Sequence, residues 1–328
     1  MKSTRNWNNL HALINQQRTT FFTENRFGTE EFQKVTPSQT DETINHWNEP
    51  HIVARPTRKP PSGYLVLFLA GSYGQPRRQL SLMQAIADLG HYVINLRYPN
   101  DWTIGGLYRS QPSADCHEKI RRQILTGQPM TDLIDLPPQH SIDNRFTKLL
   151  AWLSTRDPQH DWGQFLDGSD QPKWSNIMVS GHSQGGGHAL LISKIHRVAR
   201  CVLFSAPTDV LKPVLKPSPW IARAGATPLE GCYGFCHVKD RIFEQAHSGW
   251  EAMGLDRLGP LIKVDNTPPP YENSHMLCSE AHIVGANHHG CVATDRATPR
   301  LADGSPAFQD VWNYLFALEM PSKTDGSR

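Results

Sequence analysis

The sequence predicts a three-layer α/β fold with a mostly parallel central sheet and helices on both faces. The main observation is an alternation of strand-length apolar runs with helical patterns. YLVLFLA at 64–70 is the first buried strand, Leu82, Ile86 and Leu89 are spaced as one face of a helix, and HYVINLRY at 91–98 is the next strand. Strands joined through helices form βαβ units with right-handed crossovers. A second observation agrees, since no internal repeat or low-complexity segment interrupts the chain.

The later elements continue this alternation. After a polar stretch at 99–140, an amphipathic helix is predicted from Ile142 to Leu153, and NIMVS at 176–180 is a strand. A helix follows Ser183 and leads to the strand CVLFSAP, and then come the strand CYGFCHV, a helical pattern at 242–253 and apolar stretches at 275–285. The closing helix carries its apolar face on Phe308, Val311, Trp312, Leu315 and Leu318.

The predicted organisation is a single large domain with short additions. Residues 1–60 form a polar N-terminal extension that ends in the Pro-rich stretch ARPTRKPPSG and contributes an edge strand or two. Residues 61–320 form the domain itself, with a polar insert at about 99–140, and residues 321–328 form a flexible C-terminal tail. The insert is too short for a large separate lid.

Composition excludes several classes of function. The chain has 328 residues, 38% of them hydrophobic and 20% charged, which is ordinary for a globular protein. With 33 Lys and Arg against 31 Asp and Glu, the net charge of +2 offers no field for nucleic acid or an anionic membrane. Without a long apolar window or a signal peptide, we expect no integral membrane segment and a cytoplasmic location. Six cysteines favour reduced thiols, although Cys278 and Cys291 could bridge.

One motif carries chemistry. SGHSQGGG at 180–187 contains a Gly-x-Ser-x-Gly pattern between a predicted strand and a predicted helix, which is the context of a nucleophile elbow. Such a turn exposes the Ser183 hydroxyl, and the backbone N–H of Gln184 can stabilise a developing oxyanion. The alternative is that the glycines only allow tight packing. A phosphate-binding loop is not supported, because no Lys-Ser or Lys-Thr follows the glycines.

Together with LFLAGSYGQP and NLRYPN, the segment GHSQGGGHA resembles the α/β-hydrolase superfamily, and more narrowly a little-characterised bacterial branch of it. The resemblance covers roughly residues 62–318. It implies an α/β-hydrolase fold and a serine hydrolase whose nucleophile, acid and histidine follow one another along the chain. It implies no metal and no organic cofactor.

The resemblance also implies positions for the acid and the base. Asp240, after the strand CYGFCHV, matches the loop that carries the carboxylate, and Asp209, after CVLFSAP, is the rival. The base is expected in the loop NHHG, where His288 and His289 are both candidates. We favour His289 because the glycine beside it would let the loop approach the serine closely.

The second oxyanion donor is expected in the loop at 70–74. The resemblance assigns it to the backbone N–H of Ser72, with Tyr73 as the alternative. Tyr73 and the segment YPNDW at 98–102 are also candidate walls of a pocket, since ligands bind where parallel strands end. Core packing is the alternative role for these aromatic residues.

The function expected from these residues is that of a serine hydrolase, most simply a carboxylesterase acting on a small acyl ester. Amide hydrolysis or acyl transfer could use the same Ser183, His289 and Asp240. A binding protein on a hydrolase scaffold is the more distant alternative, and it requires that neither Asp240 nor His289 reaches Ser183.

Overall fold

The computed structural model describes residues 32–318. Residues 1–31 and 319–328 lie outside the described part, and so do the predicted tail at 321–328 and the first half of the predicted N-terminal extension.

A nine-stranded sheet forms the centre of the described chain, in the order β1-β2-β4-β3-β5-β6-β9-β11-β10. The strands are β1 (Phe32–Val35), β2 (His51–Ala54), β3 (Leu65–Leu69), β4 (Tyr92–Leu96), β5 (Ile177–His182), β6 (Arg200–Phe204), β9 (Cys232–His237), β10 (Leu261–Lys263) and β11 (Met276–Ser279). From β4 to β10 all neighbours are parallel, whereas β2 is antiparallel to both β1 and β4. A separate hairpin pairs β7 (Val210–Leu211) with β8 (Lys216–Pro217).

Helices cover both faces of this sheet. They are α1 (Pro37–Thr40), α2 (Leu80–Asp88), α3 (Ile104–Ser110), α4 (Cys116–Thr126), α5 (Ile142–Arg156), α6 (Gln184–Ile195), α7 (Pro219–Ala222), α8 (Phe243–Met253) and α9 (Gln309–Phe316). Alternate residues of β3 face opposite sides. Leu67 joins one buried cluster with Phe146 of α5, and Phe68 joins a second with Ile86 of α2 and Leu315 of α9. The predicted three-layer, mostly parallel fold is therefore confirmed.

The structure refines the sequence predictions near the two ends of the described chain and at one edge of the sheet. Residues 32–60 of the predicted extension contain the edge strand β1 and the strand next to it, β2, and Val35 and Val53 in them are fully buried in the core. The closing helix ends at Phe316, so Leu318 lies beyond it and is exposed, contrary to the prediction. The edge strand β10 was missed because three residues are too few for a periodic signal.

The polar insert at about 99–140 contains α3 and α4. The buried face of α4, with Ile120 and Ile124, joins the core next to α5 and α6. All six cysteines are unpaired and buried, as the sequence favoured, including Cys278 and Cys291. Within residues 32–318, no helix has the length and apolarity that a bilayer crossing needs.

Candidate active site

Ser183 occupies a strained turn between β5 and α6. Its backbone φ of 55° and ψ of −119° lie in a region that non-glycine residues rarely adopt. The turn packs so tightly on β3 that a Cβ on Gly185 would lie 2.0 Å from the carbonyl oxygen of Leu69. Glycine is therefore required there, and the strand β5, the sharp turn at Ser183 and the helix α6 follow one another in an arrangement that is called the elbow below.

The structure brings His289 and Asp240 together. The imidazole Nδ1 lies 2.8 Å from Asp240 Oδ2, and the hydroxyl of Ser205 donates to the same oxygen at 2.9 Å. The backbone N–H of Ile242 donates to the other carboxylate oxygen at 3.2 Å. Burial opposes ionisation of Asp240, but the hydrogen bond from His289 and these other donors hold its pKa below the ordinary value. Because an ionised carboxylate only accepts, Nδ1 of His289 carries the proton, and in the neutral imidazole Nε2 is free to accept one.

A neighbouring histidine holds the backbone of the His289 loop. His182, the last residue of β5, lies with its Nε2 2.7 Å from the carbonyl oxygen of His289, and the two rings are 4.6 Å apart. Burial, together with the nearby His289, lowers the pKa of His182 to about 3. His182 is therefore neutral, and its Nε2 donates the hydrogen bond because a carbonyl oxygen can only accept. The residue before the elbow serine thus anchors the histidine loop.

Ser183 and His289 line the same cleft, which consists of two adjoining cavities of about 420 Å³ and about 750 Å³. No residue between 32 and 318 accepts a hydrogen bond from the Ser183 hydroxyl, whereas the Ser183 backbone N–H donates to the Phe204 carbonyl at 2.8 Å. Within the described chain, the Ser183 hydroxyl therefore forms no hydrogen bond, and Ser183 lines the same cleft as His289.

The rival residues have other partners. Asp209 accepts two hydrogen bonds from the buried guanidinium of Arg121, at 2.6 and 2.7 Å, and a third from the indole of Trp220 at 3.1 Å. His288 turns its ring towards His237, with the ring centroids 4.7 Å apart, and makes no ion pair with a described carboxylate. The structure therefore pairs His289 with Asp240, and His289 lines the same cleft as Ser183.

Gly290, the glycine beside the favoured His289, has its closest neighbours within its own loop. The sequence suggests that Gly290 lets its loop approach the serine, but a Cβ on Gly290 would instead meet Thr294 Oγ1 at 2.8 Å and Asn287 Nδ2 at 2.9 Å. Because of these close contacts, glycine is needed at this position for packing within its own loop. The backbone N–H of Gly290 also donates a hydrogen bond to Asn287 Oδ1 at 3.0 Å.

The loop after β3 lies against the elbow. The backbone N–H of Tyr73 donates to the Asn100 carbonyl at 2.7 Å, so it is not free for an oxyanion. The N–H of Ser72 has no described acceptor, and the Ser72 hydroxyl donates to Gln184 Oε1 at 2.8 Å. Gln184 is the first residue of α6, so its own backbone N–H has no intrahelical partner. Ser72 and Gln184 both line the cavity that contains Ser183.

Of the predicted pocket walls, Tyr73 lines the larger cavity and is 60% exposed. The prediction is wrong for the segment 98–102, which lines neither cavity. Tyr98 is buried and its hydroxyl donates to the Ala70 carbonyl at 2.6 Å. Asn100 donates its side-chain amide to the Gly71 carbonyl at 2.7 Å and the Gly74 carbonyl at 3.0 Å, so this segment positions the loop rather than contacting the cleft.

Sequence reasoning missed Ser205 and Arg121, and it gave Asn100 only as part of a candidate pocket wall. Ser205 and Asn100 follow β6 and β4 at the carboxyl edge of the sheet, where side chains from separate strands meet. A position just after a buried strand is the sequence signal that could have identified the roles of these two residues. Nothing local identified Arg121, whose guanidinium also donates to the Gln184 carbonyl at 2.9 Å. Among residues 32–318, no cluster of three or more His, Cys, Asp or Glu could hold a metal ion.

The strand order, with an antiparallel β2 beside a run of parallel strands, agrees with the fold that the resemblance to the α/β-hydrolase superfamily implies. No protein-family profile matches the chain, and no curated protein sequence matches it. Among solved structures, it is similar to esterase B from Lactobacillus rhamnosis, with 13% identity, a TM-score of 0.44 and coverage of 83% of this chain and 82% of that one. It is also similar to esterase 2 from the planctomycete Thermogutta terrifontis, with 14% identity, a TM-score of 0.43 and coverage of 89% and 95%. Likenesses this distant carry no argument about the chemistry of this chain.

Proposed function

We propose that this protein is a serine hydrolase that cleaves a carboxylic ester through an acyl-enzyme. The observation that carries the proposal is the hydrogen bond of 2.8 Å between His289 Nδ1 and the buried Asp240, in the same cleft as a serine on a strained elbow. In this proposal Ser183 is the nucleophile, His289 is the general base and Asp240 orients the imidazole.

Each step uses a group of this chain. Ser183 Oγ attacks the ester carbonyl while His289 Nε2 takes its proton, and the backbone N–H groups of Ser72 and Gln184 stabilise the oxyanion. The imidazolium then gives the proton to the departing alcohol, which leaves an acyl group on Ser183. Water, deprotonated by the same nitrogen, attacks the acyl carbonyl and releases the carboxylic acid.

A Ser183 hydroxyl that has no hydrogen-bond acceptor among residues 32–318 is compatible with this mechanism. In hydrolases without substrate, the hydrogen bond between nucleophile and base is often long and shortens only in the reacting complex. Asp240 holds Nδ1 of His289 and His182 holds its backbone, so Nε2 is the ring nitrogen that remains to take the serine proton.

A fluorophosphonate probe tests the proposal. Such a probe reacts rapidly only with a serine that has an active base and a formed oxyanion hole. We expect rapid labelling of the wild type, no labelling of Ser183→Ala, and labelling of His289→Ala slowed by about a thousandfold or more. His288→Ala is the matched control and should label at the wild-type rate.

Circular dichroism spectra of the same preparations establish that each variant is folded. A folded wild type that does not label would refute the proposal, and so would equal labelling of Ser183→Ala. If His288→Ala loses labelling and His289→Ala keeps it, the assignment of the base is wrong.

A further inference from the structure

The smaller cavity beside Ser183 is lined by positively charged side chains. Arg109, Lys212 and Arg241 are exposed at its wall, and Arg121 lies at its base. Arg121 is neutralised by Asp209, but the other three make no ion pair with any described residue. No acidic side chain from the described chain lines this cavity. An ester bound here therefore meets uncompensated positive charge.

The larger cavity, on the other side of the serine, has the same character. Arg77, Arg78 and Arg296 line it, and Arg241 lines both cavities. The acidic residue in its lining is Asp295. The Asp295 carboxylate accepts hydrogen bonds from two backbone N–H groups in the first turn of α2, both at 2.8 Å, so its oxygens already bind the end of that helix. Whichever cavity receives the acyl chain, that chain ends near cations.

This charge is local. The whole chain carries a net charge of only +2 on 328 residues, so general basicity does not explain six cationic side chains around one serine that form no ion pair within residues 32–318. Charges of one sign that line a cleft raise the local concentration of an oppositely charged substrate and favour its binding.

We propose that the esters cleaved at Ser183 carry a carboxylate at the far end of their acyl chain, as a monoester of a short dicarboxylic acid does. This inference rests on the proposed function and adds the substrate class. Arg241 is the main cation in it, because it lines both cavities together with Ser183 and His289 and directly follows Asp240 in the chain.

The test compares two esters of equal acyl length, mono-para-nitrophenyl adipate and para-nitrophenyl hexanoate, by kcat/KM after subtraction of spontaneous hydrolysis. An exposed ion pair contributes roughly a two- to fivefold preference, so two or three cations together predict about a tenfold preference for the adipate. Arg241→Gln should lower the ratio of the two kcat/KM values roughly two- to fivefold. The matched control is Lys239→Gln, which removes an exposed cation in the same loop that lines neither cavity and should leave the ratio unchanged. High salt should reduce the preference, because it screens exposed charges.

Protection experiments test the proposed substrate class even if the protein hydrolyses neither ester. Adipate should slow fluorophosphonate labelling of Ser183 at concentrations where the uncharged adipamide does not. Equal or faster hydrolysis of the hexanoate, equal protection by the two compounds, or a ratio unaffected by Arg241→Gln would overturn the substrate class. If Ser183 labels in those cases, the proposed function stands. If folded wild type neither labels nor hydrolyses either ester, both proposals fail.

Discussion

The substitution Gly187→Ala probes how firmly the buried ion pair under the elbow is held. A Cβ on Gly187 would lie 2.2 Å from Arg121 Cζ, which no real contact allows, so the guanidinium would have to move. The guanidinium is fully buried and is held by two hydrogen bonds to Asp209, at 2.6 and 2.7 Å, and one to the Gln184 carbonyl. The side chain therefore has no solvated position to move to without breaking the pair.

The expected magnitude is the difference of two effects. Replacing a glycine inside a helix with alanine stabilises it by about 0.5–1 kcal/mol. Disrupting a buried ion pair costs roughly 3–5 kcal/mol, because it leaves a charge without its partner. We therefore expect Gly187→Ala to lower the free energy of unfolding by about 2–4 kcal/mol and, for a chain of 328 residues, the melting temperature by roughly 3–6 °C.

Urea unfolding, followed by circular dichroism and by tryptophan fluorescence, measures this change, and coincident transitions establish two-state behaviour. Gly105→Ala is the matched control, because Gly105 also lies in a helix, α3, and no described atom outside its own turn lies within 4 Å of the position that a Cβ would take there. That variant should be as stable as the wild type or more stable. A Gly187→Ala protein with unchanged or increased stability would refute the claim that Arg121 is rigidly held.

Three further predictions concern the buried His91, the carboxylate of Asp240 and the hydroxyl of Ser205. Burial lowers the pKa of His91 from 6.5 to about 4, so as pH falls the unfolded chain takes up a proton first, and stability is lost between pH 6.5 and about 4. In His91→Gln the loss of unfolding free energy between pH 7 and pH 5 should shrink by about 2 kcal/mol, as measured by urea titrations, and an unchanged loss would contradict the assignment. Asp240→Asn should lower kcat about 10³- to 10⁴-fold with little change in KM, because it leaves His289 in the wrong tautomer, and a loss below tenfold in ester assays would exclude Asp240 as the acid. Ser205→Ala removes one donor to Asp240 and should lower kcat roughly tenfold at pH 7 with KM unchanged, whereas a change in KM alone would show that Ser205 acts on binding instead.

The sequence by itself determined the elements and the elbow. Strand and helix positions follow from the periodicity of apolar residues, which is a local property of the chain, and β3, β4 and α5 lie where that periodicity predicts. The elbow at Ser183 is equally local, because the glycines that make the turn possible lie within a few residues of the serine. The resemblance built on this motif correctly implied the fold.

Only the tertiary structure shows which partners the neighbouring or competing candidate residues have. His288 and His289 are adjacent, so the sequence could not say which ring meets a carboxylate, and the structure turns His289 towards Asp240 and His288 towards His237. Asp209, the rival acid, is held by Arg121, which lies far away in the sequence. The cations of the cleft likewise come from segments that are far apart in the sequence. Such pairings depend on how distant segments pack, and local periodicity carries no information about which distant side chains will meet.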